Sequence, residues 1–175
     1  KFELKLLREI LYKVEINSVI GNTSLSINKI EFDSRLISDG DMYIAITGVN
    51  VDGHSFISQA IQNGANCIVC EKIPDNKTDG VVYVNVKSSR KAVAIISSNY
   101  FDNPSSKLNL IGVTGTNGKT TIATLLFDLY TVLEIKSGLI STVKISYDNK
   151  NFQANQTTPD SLSINRFLSE MVNSN

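Results

Sequence analysis

The residues best placed to do chemistry stand between 108 and 121, which read Leu-Asn-Leu-Ile-Gly-Val-Thr-Gly-Thr-Asn-Gly-Lys-Thr-Thr. An apolar run, expected as a strand over 108–113, enters a turn holding Gly112, Gly115 and Gly118. Lys119 and Thr120 follow at the start of a helix expected over 118–133. Its Ile122, Leu125, Leu126 and Leu129 fall at the i, i+3, i+4, i+7 spacing of one apolar face. Glycines let the backbone bend and bring its N–H groups close to phosphate oxygens. A helix start adds unpaired N–H groups and a partial positive charge. Lys119 can reach β- and γ-phosphates, and the Thr120 hydroxyl can ligate a Mg²⁺ that bridges phosphate oxygens. The strict pattern places a glycine five residues before the final Gly-Lys. Here that position is Val113, so the generic motif is missed by one residue.

Other reactive side chains carry less. Cys67 and Cys70 form a CxxC, but zinc needs further ligands and the chain has two cysteines and one histidine in all. The run Cys67-Ile68-Val69-Cys70 reads instead as a buried strand with two free thiols. His54, the lone histidine, reads as a surface residue near a helix start. Asp148-Asn149-Lys150-Asn151 does not supply the Asn-Lys-x-Asp that reads guanine, which argues against a GTPase.

The elements that must position the loop are legible from periodicity. Leu4, Leu7, Leu11 and Val14 share a helical face, so a helix is expected over 4–14. Strands are expected over 28–33, 41–46, 67–70 and 80–86. A helix over 55–63 should end at Gly64, and one capped by Ser88 or Ser89 should run to about Phe101. Past the loop come a strand near 138–146 and a helix over 160–172, with Thr158 as N-cap, Pro159 at the first helical position and Asp160 in the first turn. Alternating strands and helices predict an α/β fold with mainly parallel pairing. Asp102-Asn103-Pro104-Ser105-Ser106 is the best linker, which divides the chain into domains 1–105 and 106–175.

Bulk properties narrow the class. The chain has 175 residues, 42% hydrophobic and 19% charged, as ordinary globular proteins do. Residues 1–105 carry 11 basic and 12 acidic side chains, and 106–175 carry 6 and 5. Neither part has the basic excess of a nucleic-acid binder, so no nucleic-acid partner is expected. No apolar run approaches the roughly 20 residues of a membrane helix, and Glu3 and Glu9 interrupt any leader-like start. No membrane partner and a cytoplasmic location are expected.

The string Gly115-Thr116-Asn117-Gly118-Lys119-Thr120-Thr121 resembles the nucleotide loop of the Mur ligases, whose variant of the P-loop begins its turn at the position of Gly115. The departure at Val113 agrees with that family. The resemblance implies an ATP-dependent enzyme that makes an acyl phosphate from a carboxylate, which an amine then displaces to form an amide. It implies ATP and Mg²⁺ as cofactors, residues 115–121 as the nucleotide site, Lys119 as its catalytic lysine and Thr120 as a metal ligand. Folylpolyglutamate synthetases share the loop but carry it near the N-terminus and usually continue it as Gly-Lys-Gly-Ser.

Upstream, Phe32-Asp33-Ser34-Arg35, Gly40-Asp41, Gly48 and Asp52-Gly53-His54-Ser55-Phe56 resemble the uridine-binding domain of the third- and fourth-step members. By position, Phe32 and Ser34 match the uridine site, and Val49, Asn50 and Val51 match a second contacting stretch. Gln156-Thr157-Thr158-Pro159-Asp160 resembles the Thr-Thr-Pro segment of the third-step members, where Thr157 and Thr158 would contact the peptidyl part of the precursor. The resemblance therefore implies a UDP-binding α/β domain followed by the start of a P-loop ATPase domain. It implies UDP-N-acetylmuramoyl-L-alanyl-D-glutamate and an amino acid, meso-diaminopimelate or L-lysine, as substrates. The family plan has three domains, so the chain is expected to be inactive alone. A fourth-step ligase and a non-catalytic nucleotide-binding module stay open as alternatives.

Overall fold

A computed structural model describes residues 4–48, 51–153 and 159–174. The chain divides into two compact units, Lys1–Tyr100 and Phe101–Asn175. Among the described residues no helix is long and apolar enough to cross a membrane.

The first unit runs β1 (Lys5–Leu6), α1 (Leu7–Ile10), β2 (Ile16–Ile20), β3 (Ser26–Ile27), β4 (Ile30–Glu31), β5 (Met42–Ile44), α2 (Ile57–Gln62), β6 (Cys67–Cys70), β7 (Val82–Val86) and α3 (Ser89–Tyr100). Five strands form one sheet in the order β2-β7-β6-β5-β4. The pairs β4–β5, β5–β6 and β6–β7 are parallel, and β2 closes the edge antiparallel. Strands inside a parallel sheet are covered on both faces, which explains their unbroken apolar runs. Met42, Ile44, Cys67, Ile68, Val69, Cys70 and Val84 are all fully buried.

One expectation for this unit is corrected, and one strand is added. The helix read over 4–14 is a single turn. Leu6 is extended and pairs with β3, and Lys13 takes a left-handed φ of 61° that no α-helix continues through. The edge strand β2 was not foreseen, because most of Ile16–Ile20 is exposed and shows no alternation of apolar and polar residues.

The second unit opens on a 3-10 turn at Pro104–Lys107. It continues with α4 (Lys119–Val132), β8 (Gly138–Ile140), β9 (Lys144–Tyr147), β10 (Lys150–Gln153) and α5 (Ser161–Asn173). The strand expected over 108–113 is absent. A strand exists only where its backbone pairs with a neighbour, no described segment pairs with this one, and Leu110 and Ile111 stand exposed. The strand expected over 138–146 is a hairpin instead. The Ser141 hydroxyl accepts from Val143 N at 3.3 Å and from Lys144 N at 3.1 Å, and donates to Lys144 O at 2.9 Å, which folds the chain back at once. Asp148 and Asn149, both at positive φ, turn β9 into β10. The three strands β10-β9-β8 pair antiparallel, so the parallel pairing described here belongs to the first unit.

The N-cap of α5 lies two residues beyond the expected Thr158. Asp160, extended at φ −66° and ψ 165°, is the N-cap, and its carboxylate accepts from Ser163 N at 2.8 Å. Phe167 of α5 meets Tyr147 and Phe152 in an aromatic cluster with centroids 5.7–6.2 Å apart. The face read on α4 is also corrected. Ile122, Leu125 and Leu129 are exposed, while Ala123, Leu126, Phe127 and Tyr130 turn toward a cavity.

Candidate functional site

The glycine loop lies ahead of the 14-residue helix α4. Gly115 and Gly118 take φ of 148° and 77°, values that suit glycine, and a Cβ built on either would meet nothing nearer than 3.6 Å. The requirement at these positions is therefore conformational, and the loop's inner surface is open. The first helical bond runs from Ile122 N to Gly118 O at 2.8 Å. The amides of Lys119, Thr120 and Thr121 precede the repeat and are left for an outside acceptor. The Lys119 ammonium folds back over the turn and donates to Gly115 O at 2.5 Å and Thr116 O at 3.2 Å. Turn, helix end and cation thus converge on one spot, the donor set a polyphosphate requires.

Thr120 is half-buried on the first turn of α4. Its hydroxyl lies 3.5 Å from that of Thr142, on the turn between β8 and β9. Lys119, Thr120 and Thr142 border a cavity of about 920 Å³ that continues between α4 and α5 past Leu126, Tyr130 and Leu168. Among the described residues no group of three or more His, Cys, Asp or Glu side chains could hold a metal ion. Thr120 is the hydroxyl this loop could offer a divalent cation. Thr142 escaped sequence reasoning, because no motif links it to a loop 22 residues earlier. Its one trace is the pair Ser141-Thr142 closing an apolar strand.

The first unit builds a second candidate surface. Its strands β4 and β5 lie side by side and parallel, and their carboxyl ends deliver residues 32–36, 45–48 and 51–53 to one end of the sheet. Ligands of open α/β sheets bind at such ends. Phe32 and Val51 are exposed there. Asp33 caps a 3-10 turn at Ser34–Leu36, accepting from Arg35 N at 3.0 Å and from the Arg35 guanidinium at 2.7 and 2.9 Å. Those side-chain bonds, then the backbone bond, hold the Asp33 carboxyl below the usual carboxylate range. Ser34 is buried, and its hydroxyl donates to Gln59 Oε1 at 2.9 Å while Asn63 Nδ2 donates to its carbonyl at 2.8 Å. The Ser34 hydroxyl is therefore spent inside the unit.

The next loop is closed by a bridge between Thr47 and Asp52 and by Gly48 N donating to Val51 O at 2.9 Å. Tyr43, buried in β5, anchors it by donating its hydroxyl to Gly53 O at 2.9 Å, and burial pushes that phenol up to about 12. His54 is tied down on both sides. Its Nε2 accepts from Glu71 N at 2.9 Å, so the proton is on Nδ1, which donates to Asp52 Oδ1 at 2.7 Å. It stands on the 3-10 turn Gly53–Phe56 that enters α2, as the sequence suggested, and braces two loops there. The backbone and then the ring of His54 hold the Asp52 carboxyl below its usual range. Of the expected substrate residues, Val49, Asn50, Thr157 and Thr158 lie outside the described residues.

Comparison with known proteins bears on both surfaces. The description "Mur ligase family, catalytic domain" matches residues 26–101, and "Mur ligase middle domain" matches 113–175. The UDP-N-acetylmuramoyl-L-alanyl-D-glutamate--2,6-diaminopimelate ligase of Cytophaga hutchinsonii is 48% identical over 167 residues, covering 95% of this chain and 34% of that protein. Its namesake in Clostridium tetani is 42% identical over 170 residues, covering 96% of this chain and 35% of that one. The chain therefore spans about a third of the length of these relatives. A solved structure of a UDP-N-acetylmuramoyl-L-alanyl-D-glutamate--2,6-diaminopimelate ligase shares the fold at a TM-score of 0.74 and 21% identity, over 98% of this chain and 34% of that one. MurF from Acinetobacter baumannii does so at 0.63 and 20%, over 97% and 33%.

Proposed function

Because the chain belongs to the Mur ligase family, we propose that it is the precursor-binding and phosphate-binding part of an ATP-dependent ligase that joins diaminopimelate to UDP-N-acetylmuramoyl-L-alanyl-D-glutamate. One observation carries this reading. In a chain 48% identical to such a ligase, Lys119 sits over the carbonyls of a glycine turn at the start of a long helix. The first unit takes the UDP end of the precursor at the carboxyl ends of β4 and β5, with Phe32, the backbone of Ser34 and the loop 49–51. The second takes the triphosphate at 115–121. Lys119 and the open amides hold the β- and γ-phosphates and offset the charge that develops as phosphate moves to the substrate carboxylate. Bound Mg²⁺ supplies further charge neutralisation, with Thr120 as its protein ligand. Thr157 and Thr158 face the peptidyl end of the precursor.

Isothermal titration tests the binding half of this proposal. MgATP and UDP-N-acetylmuramoyl dipeptide should each bind the chain, and Lys119→Ala should abolish the first response and keep the second. In the complete ligase the same substitution should lower turnover roughly a hundred- to thousandfold, the scale of one lost contact to developing charge. Unchanged MgATP binding by Lys119→Ala would remove the phosphate loop from the proposal.

A further inference from the structure

We infer that Thr142 is a positioning residue for the cation site, accepting the proton of the Thr120 hydroxyl so that the lone pairs of Thr120 face the metal. This rests on the nucleotide reading of the 115–121 loop. The chemistry is directional. A threonine hydroxyl that ligates a cation does so through an oxygen lone pair, so its O–H points away and needs an acceptor of its own. The Thr142 oxygen, 3.5 Å from that of Thr120, is the side-chain partner the structure gives that hydroxyl. Coordination makes a hydroxyl more acidic and a stronger donor, which tightens this long contact once the metal is present.

Thr142 is held for the task by the turn it sits on. Ser141 N donates to Lys144 O at 3.0 Å, and the Ser141 hydroxyl makes three more bonds to Val143 and Lys144. Four bonds around a single residue fix the backbone on both sides of Thr142. The side chain itself is exposed and packs into no core, so a purely structural reason for it is lacking.

The experiment compares Thr142→Val, which keeps the shape and removes the hydroxyl, with Thr142→Ser, which keeps the hydroxyl. Calorimetric titration with ATP is run once with excess Mg²⁺ and once in EDTA. Thr142→Val should weaken MgATP binding roughly five- to tenfold, the worth of one ordinary hydrogen bond. It should leave metal-free ATP binding unchanged, and Thr142→Ser should restore the Mg²⁺ response. Equal weakening in both arms would show that the substitution disturbs the loop itself, and an unchanged Mg²⁺ arm would show that Thr120 is oriented by something else; either overturns the inference. Failure of the wild-type chain to bind ATP in either arm would instead overturn the nucleotide reading, and this inference with it.

Discussion

The two units bury their side chains to very different depths. In the first, β5, β6 and β7 are buried almost residue for residue, and the loops at their carboxyl ends are pinned by bonds from Tyr43, Asp33 and His54. In the second, α4 has no buried residue along its whole length, and the segment leading into the phosphate loop pairs with nothing described. Both units present a candidate site, yet one site stands on a packed parallel sheet and the other on a helix with an open flank. A rigid platform suits recognition of a fixed nucleotide-sugar end. A phosphate loop needs little behind it beyond a helix start, since its donors are backbone amides and one lysine.

Core truncation should break the symmetry between the units most sharply. Ile68→Ala should cost about 2–5 kcal/mol, because Ile68 is fully buried between sheet and helix. Leu125→Ala on α4 should cost no more than about 0.5 kcal/mol, since Leu125 is 62% exposed. Urea denaturation followed separately in each unit would measure both. Equal losses would mean that α4 is covered in solution, and the contrast would collapse.

Smaller effects sharpen the picture. Asp160→Ala should lower the stability of the second unit by about 1 kcal/mol through loss of the α5 cap, with helical amides at Ser163 and nearby exchanging faster. Normal protection of those amides would show that the cap bond is dispensable. Tyr43→Phe should cost about 1 kcal/mol through loss of its bond to Gly53 O, and should weaken UDP-precursor binding more than ATP binding. A loss confined to ATP would contradict the assignment of the first loop.

The smallest effect is the pH dependence of the two capping carboxylates. Asp33 and Asp52 are both held below their ordinary value of 3.8 in the folded chain. Their contribution is therefore fully present above pH ~3.8 and is lost as pH falls through the lower folded values. Asp33→Asn and Asp52→Asn should each flatten the acid limb of the stability curve below about pH 4, and an unaltered limb would show that these pairs do not persist in solution.

Much of this was legible in the chain. Fully buried strands such as Cys67–Cys70 announce themselves as apolar runs behind a glycine, and the glycine turn ahead of a helix at Lys119 is readable from composition alone. What was hidden depends on partners distant in sequence. Whether 108–113 becomes a strand depends on a neighbour, which local residues do not encode. The hairpin at Ser141 is decided by one hydroxyl that can serve three backbone groups, in a run otherwise apolar enough to read as one strand. Ser34 was recognisable as a position, but the direction of its hydroxyl is set by Gln59, 25 residues on. Thr142 is invisible for the same reason.

The two buried cysteines have a practical consequence. Three residues apart on one strand, they point to opposite faces and sit roughly 10 Å apart, too far for a disulfide. Burial pushes both thiols up, Cys70 to about 11, so neither is reactive while the sheet is closed. The first unit thus carries its own stopwatch. The rate at which a small alkylating reagent consumes these thiols counts how often the central strand comes open, with no label added, and a bound nucleotide sugar that holds the sheet together should slow the count.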